Sequence, residues 1–231
     1  GGNGFGNNNV IRNKVLFGND LNGALSDGTL DFNWGMDWGI DTVGSDQFDF
    51  KSTLYHELTH ALGFASGIWS DGLDSFYNGI DTPGSWDEFD YWLTTADGTP
   101  LIDDTTNQID IDLWNTHSIG GSSPGAGLFF CGPNAMAANN GNLVGLYSPT
   151  TWEDGSSISH IDDENPEYDG LMMLAYTGQG PSATTLSDNE KGMMMDLGYT
   201  FAQEAQVPVP GSFGLIALGL IMITGLHRRQ Q

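Results

Sequence analysis

Two histidines four residues apart, with a glutamate beside the first, form the stretch of this chain best suited to chemistry: His56-Glu57-Leu58-Thr59-His60. On a helix the two imidazoles stand one turn apart on one face, so their neutral nitrogens can take two corners of a tetrahedral zinc site. Glu57 is placed to take a proton from a water that the metal acidifies. The helix that must carry them starts near Phe50. Phe50, Leu54, Leu58, Ala61 and Leu62 recur at the helical period on one apolar face and leave the histidines on the other. Asp46 to Asp49 offer carboxylates at its positive end. Gly63 can end it in a left-handed turn that returns the chain over the metal.

A catalytic zinc site needs a third protein ligand. His160, His117 and a carboxylate from Asp87 or Glu88 are the candidates, whereas Ser66, three residues beyond Gly63, is a poor ligand. The motif with its glycine turn resembles the metzincin metallopeptidases. His160 followed by Gly170-Leu171-Met172-Met173 is similar to their leishmanolysin-like branch, in which an insertion separates the glycine turn from the third histidine. That resemblance implies His160 as the third zinc ligand, with Met172, or Met173 beside it, as a methionine turn under the metal. It further implies Tyr176 as a stabiliser of the oxyanion and a protein or peptide as substrate. The implied fold is α+β, with a zinc helix, a methionine turn and a C-terminal helix, over residues 1–200 with a long insertion at about 67–156. Such domains lay several strands ahead of the zinc helix. Only 55 residues precede His56 here, which implies N-terminal truncation.

Other elements must frame this site. Val10–Phe17 has the β-branched content of a strand, and Thr29–Trp34 is a second strand candidate. Trp34 and Trp38, near Gly35 and Gly39, read as core residues, with the edge of a substrate site as the alternative. Alternation in Ile109–Trp114 predicts a half-buried strand, and Asp97-Gly98 a turn before Leu101-Ile102. Asp103, Asp104, Asp110 and Asp112 read as a solvated acidic surface, with calcium binding as the alternative. Cys131, the single cysteine, reads as a small buried residue. Ser187-Asp188-Asn189-Glu190 is a capping box ahead of a short helix from Lys191 to Leu197, ended by Gly198.

Six basic against 30 acidic side chains give a formal charge of −24, a surface that repels nucleic acid and anionic membranes. After a linker at 201–206 the character changes. Val207-Pro208-Val209-Pro210 leads into an uncharged run of 16 residues, Gly211 to Leu226, and then His227-Arg228-Arg229. The run is shorter than the ~20 residues of a comfortable spanning helix. This tail resembles the PEP-CTERM sorting signals of Gram-negative bacteria, which implies export to the cell surface or outer envelope. It also implies transient membrane anchoring and an exosortase-type processing enzyme as partner. A zinc peptidase is therefore one expectation; a surface matrix or adhesion protein that keeps a zinc-bound fold without turnover is the other.

Overall fold

The computed structural model describes residues 2–120 and 126–202. The sorting-signal pattern at 207–231, with its run at 211–226, lies outside them. Residues 1–200 form one compact unit. The architecture is α+β in a loose sense, with five helices and nine very short strands among the described residues. The helices are α1 (Val10–Phe17), α2 (Phe50–Ala61), α3 (Ile111–His117), α4 (Pro133–Ala138) and α5 (Asp188–Asp196). Each strand is two residues long: β1 (Gly4–Phe5), β2 (Trp38–Gly39), β3 (Phe48–Asp49), β4 (Ser85–Trp86), β5 (Leu93–Thr94), β6 (Ile102–Asp103), β7 (Gln108–Ile109), β8 (Phe129–Phe130) and β9 (Val144–Gly145). They pair β1 with β4 and β2 with β3 in parallel, β6 with β7 antiparallel, and β5, β8 and β9 in that order as a three-stranded antiparallel sheet.

Ladders this short supply few backbone hydrogen bonds. The core is an irregular packing of large side chains, with Trp86, Trp114, Phe64, Phe89, Phe130 and Met173 among those fully buried. Buried carboxylates take up amides that no ladder satisfies. Asp74 accepts from Phe76, Asn78 and Ser85, and Asp196, at the end of α5, accepts from Asn134 and Ala135. The second set caps α4 from outside. The residue before that helix is Gly132, which has no side chain to do so.

Several sequence expectations are corrected. Val10–Phe17 is a helix. Asn9 caps it by accepting from the Arg12 amide, and Gly18 closes it at φ +70, so the two end signals override the β-branched content between them. Thr29–Trp34 forms no strand. Trp34 is 68% exposed and stacks on Phe50 at 5.5 Å, so it is not core. Ile109–Trp114 is not one strand: β7 ends at Ile109, and Asp110 then caps α3 by accepting from Asp112 and Leu113. Cys131 is half-buried. Asp103, Asp104, Asp110 and Asp112 are exposed. Two of them serve the backbone, Asp103 bonding Thr105 and Thr106 in a turn and Asp110 acting as the cap just described.

α4 and α5 meet at Gly192. A β-carbon there would stand 2.7 Å from Ala135 Cα and 2.7 Å from the Asn134 carbonyl oxygen, both backbone atoms that cannot rotate away. On helix propensity alone Gly192→Ala would stabilise by ~1 kcal/mol. Overpacking reverses the sign, and a net loss of about 1–3 kcal/mol is expected. Urea unfolding of the two proteins reads that sign directly.

Candidate metal centre

The chain delivers three imidazoles to one point by two routes. α2 carries His56 and His60. Asp49 caps it, accepting from Ser52 inside the helix and from Ser182 outside it, and so ties its start to the C-terminal part of the chain. Its buried residues are Ser52 and Thr59, while Leu58 is 41% exposed; the expected apolar face is only partly inside. At the other end Gly63 adopts φ +107, a conformation side chains rarely allow, and reverses the chain. Phe64 then anchors in the core, and its carbonyl comes back to His60.

His160 sits at a bend after a run of turns, just ahead of the bridging residue Ile161. Its carbonyl accepts from the Tyr147 amide, and the next residue, Ile161, donates to the Met173 carbonyl and bridges both Leu146 and Leu174. Ahead of it, a turn closed by Ser156 and Ser157 amides on the Glu153 carbonyl presents the Ser156 carbonyl to His160. Ile158 in this approach holds φ +64, strained for a β-branched residue, and is fully buried.

The three Nε2 atoms lie 3.0 Å (His56 to His60), 3.0 Å (His60 to His160) and 3.1 Å (His56 to His160) apart. Tetrahedral zinc with bonds of ~2.0–2.1 Å sets its nitrogens ~3.3 Å apart, so a point ~2 Å from all three exists just off their plane. Each Nδ1 meets a backbone carbonyl: Met172 for His56 at 2.7 Å, Phe64 for His60 at 2.6 Å and Ser156 for His160 at 2.8 Å. A carbonyl only accepts, so each Nδ1 carries the proton and each Nε2 presents a bare lone pair. Three lone pairs facing one another repel. Two of the three rings resist taking up a proton. Burial, with the neighbouring His160 and His56, lowers His60 to about 3, and burial lowers His160 to about 4 against the bond to Ser156. A metal ion at that point would balance the three lone pairs, and a set of three imidazoles suits zinc.

The remaining candidates separate. Glu57 follows His56 on α2 and is exposed. Met172 is buried, and its carbonyl fixes His56; Met173 is fully buried, and its amide donates to Glu190 Oε1 at 2.6 Å. Glu190 is the capping-box residue, whose other oxygen accepts from Ser187, so the start of α5 also braces the methionine turn. Sequence reasoning recognised the box but had no signal for that second bond. Tyr176 is exposed, and its hydroxyl donates to Glu153.

Three proposed third ligands fall elsewhere. His117 ends α3 and lines a separate hollow with Thr95, Asp97 and Leu113. Glu88 pairs with Arg12 at 3.4 Å, and Asp87 lies beside Asp90. Among the described residues, the histidine trio is the one cluster of three or more metal-ligating side chains. No family model, no curated protein and no solved structure matches this chain.

His160→Ala is expected to lower zinc affinity at least tenfold, whereas His117→Ala should leave it unchanged. Chelator competition on both variants measures this, and equal losses would disqualify His160 as the third ligand.

Proposed function

We propose that this domain is a zinc-dependent endopeptidase with His56, His60 and His160 as ligands and Glu57 as general base. The observation that carries the reading is the convergence of three proton-free Nε2 atoms with no fourth His, Cys, Asp or Glu joining them among the described residues. Structural zinc sites are closed by four protein ligands, whereas hydrolytic sites keep a corner open. Zinc held there would supply Lewis acidity toward a water and a peptide carbonyl.

The chain's own groups do the rest. Glu57, exposed beside the first ligand, takes the proton of the attacking water as the new C–O bond forms. It returns that proton to the amine nitrogen as the C–N bond breaks. The Phe64, Met172 and Ser156 carbonyls hold the three Nδ1 protons, keeping every imidazole in the ligating tautomer. Tyr176 reaches an oxyanion in this reading only by leaving Glu153. The tail pattern at 207–231 supports an exported, surface-sorted enzyme.

The test is Glu57→Ala. Zinc content should match the parent, because Glu57 is not a ligand. Hydrolysis of an unfolded protein substrate should fall by a factor of 10² or more, the usual contribution of a positioned base. Unchanged hydrolysis would end the peptidase reading. A zinc-loaded parent without hydrolysis would favour a binding role.

A further inference from the structure

The segment from Phe64 to Gly67 touches both arms of the histidine cluster. Its Phe64 carbonyl accepts the Nδ1 proton of His60, and its Ser66 amide donates to Ser159 Oγ at 3.2 Å, one residue before His160. This strap lies in neither a helix nor a strand. A carboxylate holds its far end: Asp90 Oδ2 accepts from the Gly67 amide at 3.2 Å and from the Asp87 amide at 2.9 Å. Asp90 is 0% exposed, and its Oδ1 has no well-formed hydrogen bond.

Asp87 shares this site. A β-carbon on Gly67 would stand 2.6 Å from Asp87 Oδ2 and 3.5 Å from Asp90 Oδ2, so both carboxylates lie against the strap, and a side chain there would have to push the Asp87 carboxylate aside. The cation on this side is Arg12, which is engaged with Glu88 and with the Leu197 carbonyl. Two carboxylates this close and this deep do not both ionise readily. Burial and then the Asp87 charge push Asp90 up to about 8; burial raises Asp87 to about 6 against the pull of Arg12.

We propose that Asp90, which does not touch the histidines, is a positioning residue of the metal centre: it clamps the Phe64–Gly67 strap and thereby fixes His60 and the approach to His160. What the clamp requires is an accepting oxygen at residue 90, not a charge. Asparagine keeps that oxygen, and its N–H₂ can donate to the Ser66 hydroxyl beside it, which accepts as well as donates, so it should serve as well as aspartate. Alanine removes the acceptor and leaves two amides without it. The inference rests on reading the trio as a zinc site and is independent of turnover.

Full-length parent, Asp90→Ala, Asp90→Asn and a control, Asp74→Ala, are compared by zinc affinity in chelator competition. The visible spectrum of the cobalt-substituted proteins reports ligand geometry. Asp74 clamps the amides of Phe76, Asn78 and Ser85, so its loss should lower the melting temperature without changing either readout. Asp90→Ala should weaken zinc about 10–100-fold, the usual cost of losing an outer-sphere support, and alter the cobalt spectrum. Asp90→Asn should match the parent in both.

A parent-like Asp90→Ala overturns the proposal, and so does an Asp90→Asn as impaired as the alanine variant. Equal losses in Asp90→Ala and Asp74→Ala would reduce the effect to general destabilisation and also overturn it. If Asp90→Ala does not fold, Ser159→Ala releases the strap's other clamp. An altered cobalt spectrum is then expected, and an unchanged one counts against the strap. A parent that binds no zinc removes the metal reading itself, an outcome distinct from all of these.

Discussion

A buried carboxylate accepting main-chain amides is the interaction on which the rest of this structure depends. With strands of two residues, ladder bonds cannot satisfy the backbone, and an unpaired buried amide costs about 1–3 kcal/mol. Asp49, Asp74, Asp90, Glu190 and Asp196 are all buried, and each bonds two or more amides that are far apart in sequence or stranded in turns. A carboxyl group carries two oxygens with several acceptor sites and can gather amides from several directions. A chain with 33 glycines and long irregular segments can therefore hold one arrangement.

Two of these carboxylates, Asp49 and Glu190, bond backbone that carries or orients the histidines. Asp49 sets the start of the helix that carries two of the imidazoles. Glu190 holds the Met173 amide, next to the carbonyl that orients His56. A cluster of imidazoles is only as well ordered as the groups behind it, and here those groups are carbonyls on irregular backbone, with acids from other elements nearby. The acidic composition thus has an internal use beside any external one.

What was legible in the sequence follows from range. The helix that carries His56 and His60, the carboxylates of Asp46 to Asp49 at its start, the turn at Gly63 and the capping box at Ser187 are local signals, written within four or five residues, and each of these elements stands where its residues point. The closeness of His160 to the motif, across 100 residues, has no local signal and was legible only through the resemblance in the order of His160 and the Met172 turn. Misreadings came where composition and end signals disagree. Val10, Ile11 and Val15 point to a strand, while Asn9 and Gly18 enforce a helix, and the alternation through Ile109–Trp114 hides the cap at Asp110. Long-range carboxylate bonds leave no pattern in sequence at all, since an aspartate that serves a distant amide looks like one that faces water. Asp90 and Asp196 were invisible for that reason.

The placement of these acids changes what the formal charge of −24 means. Charges on the outside repel one another and oppose the compact state, and dissolved ions screen them within a Debye length of ~8 Å at physiological strength. The acids inside are bonded to amides and shielded from those ions by the protein around them. Salt therefore weakens the repulsion without loosening the staples. A chain built this way keeps its fold as salt rises, because ions screen its outward charge while the acceptor oxygens of its buried carboxyl groups still hold the backbone.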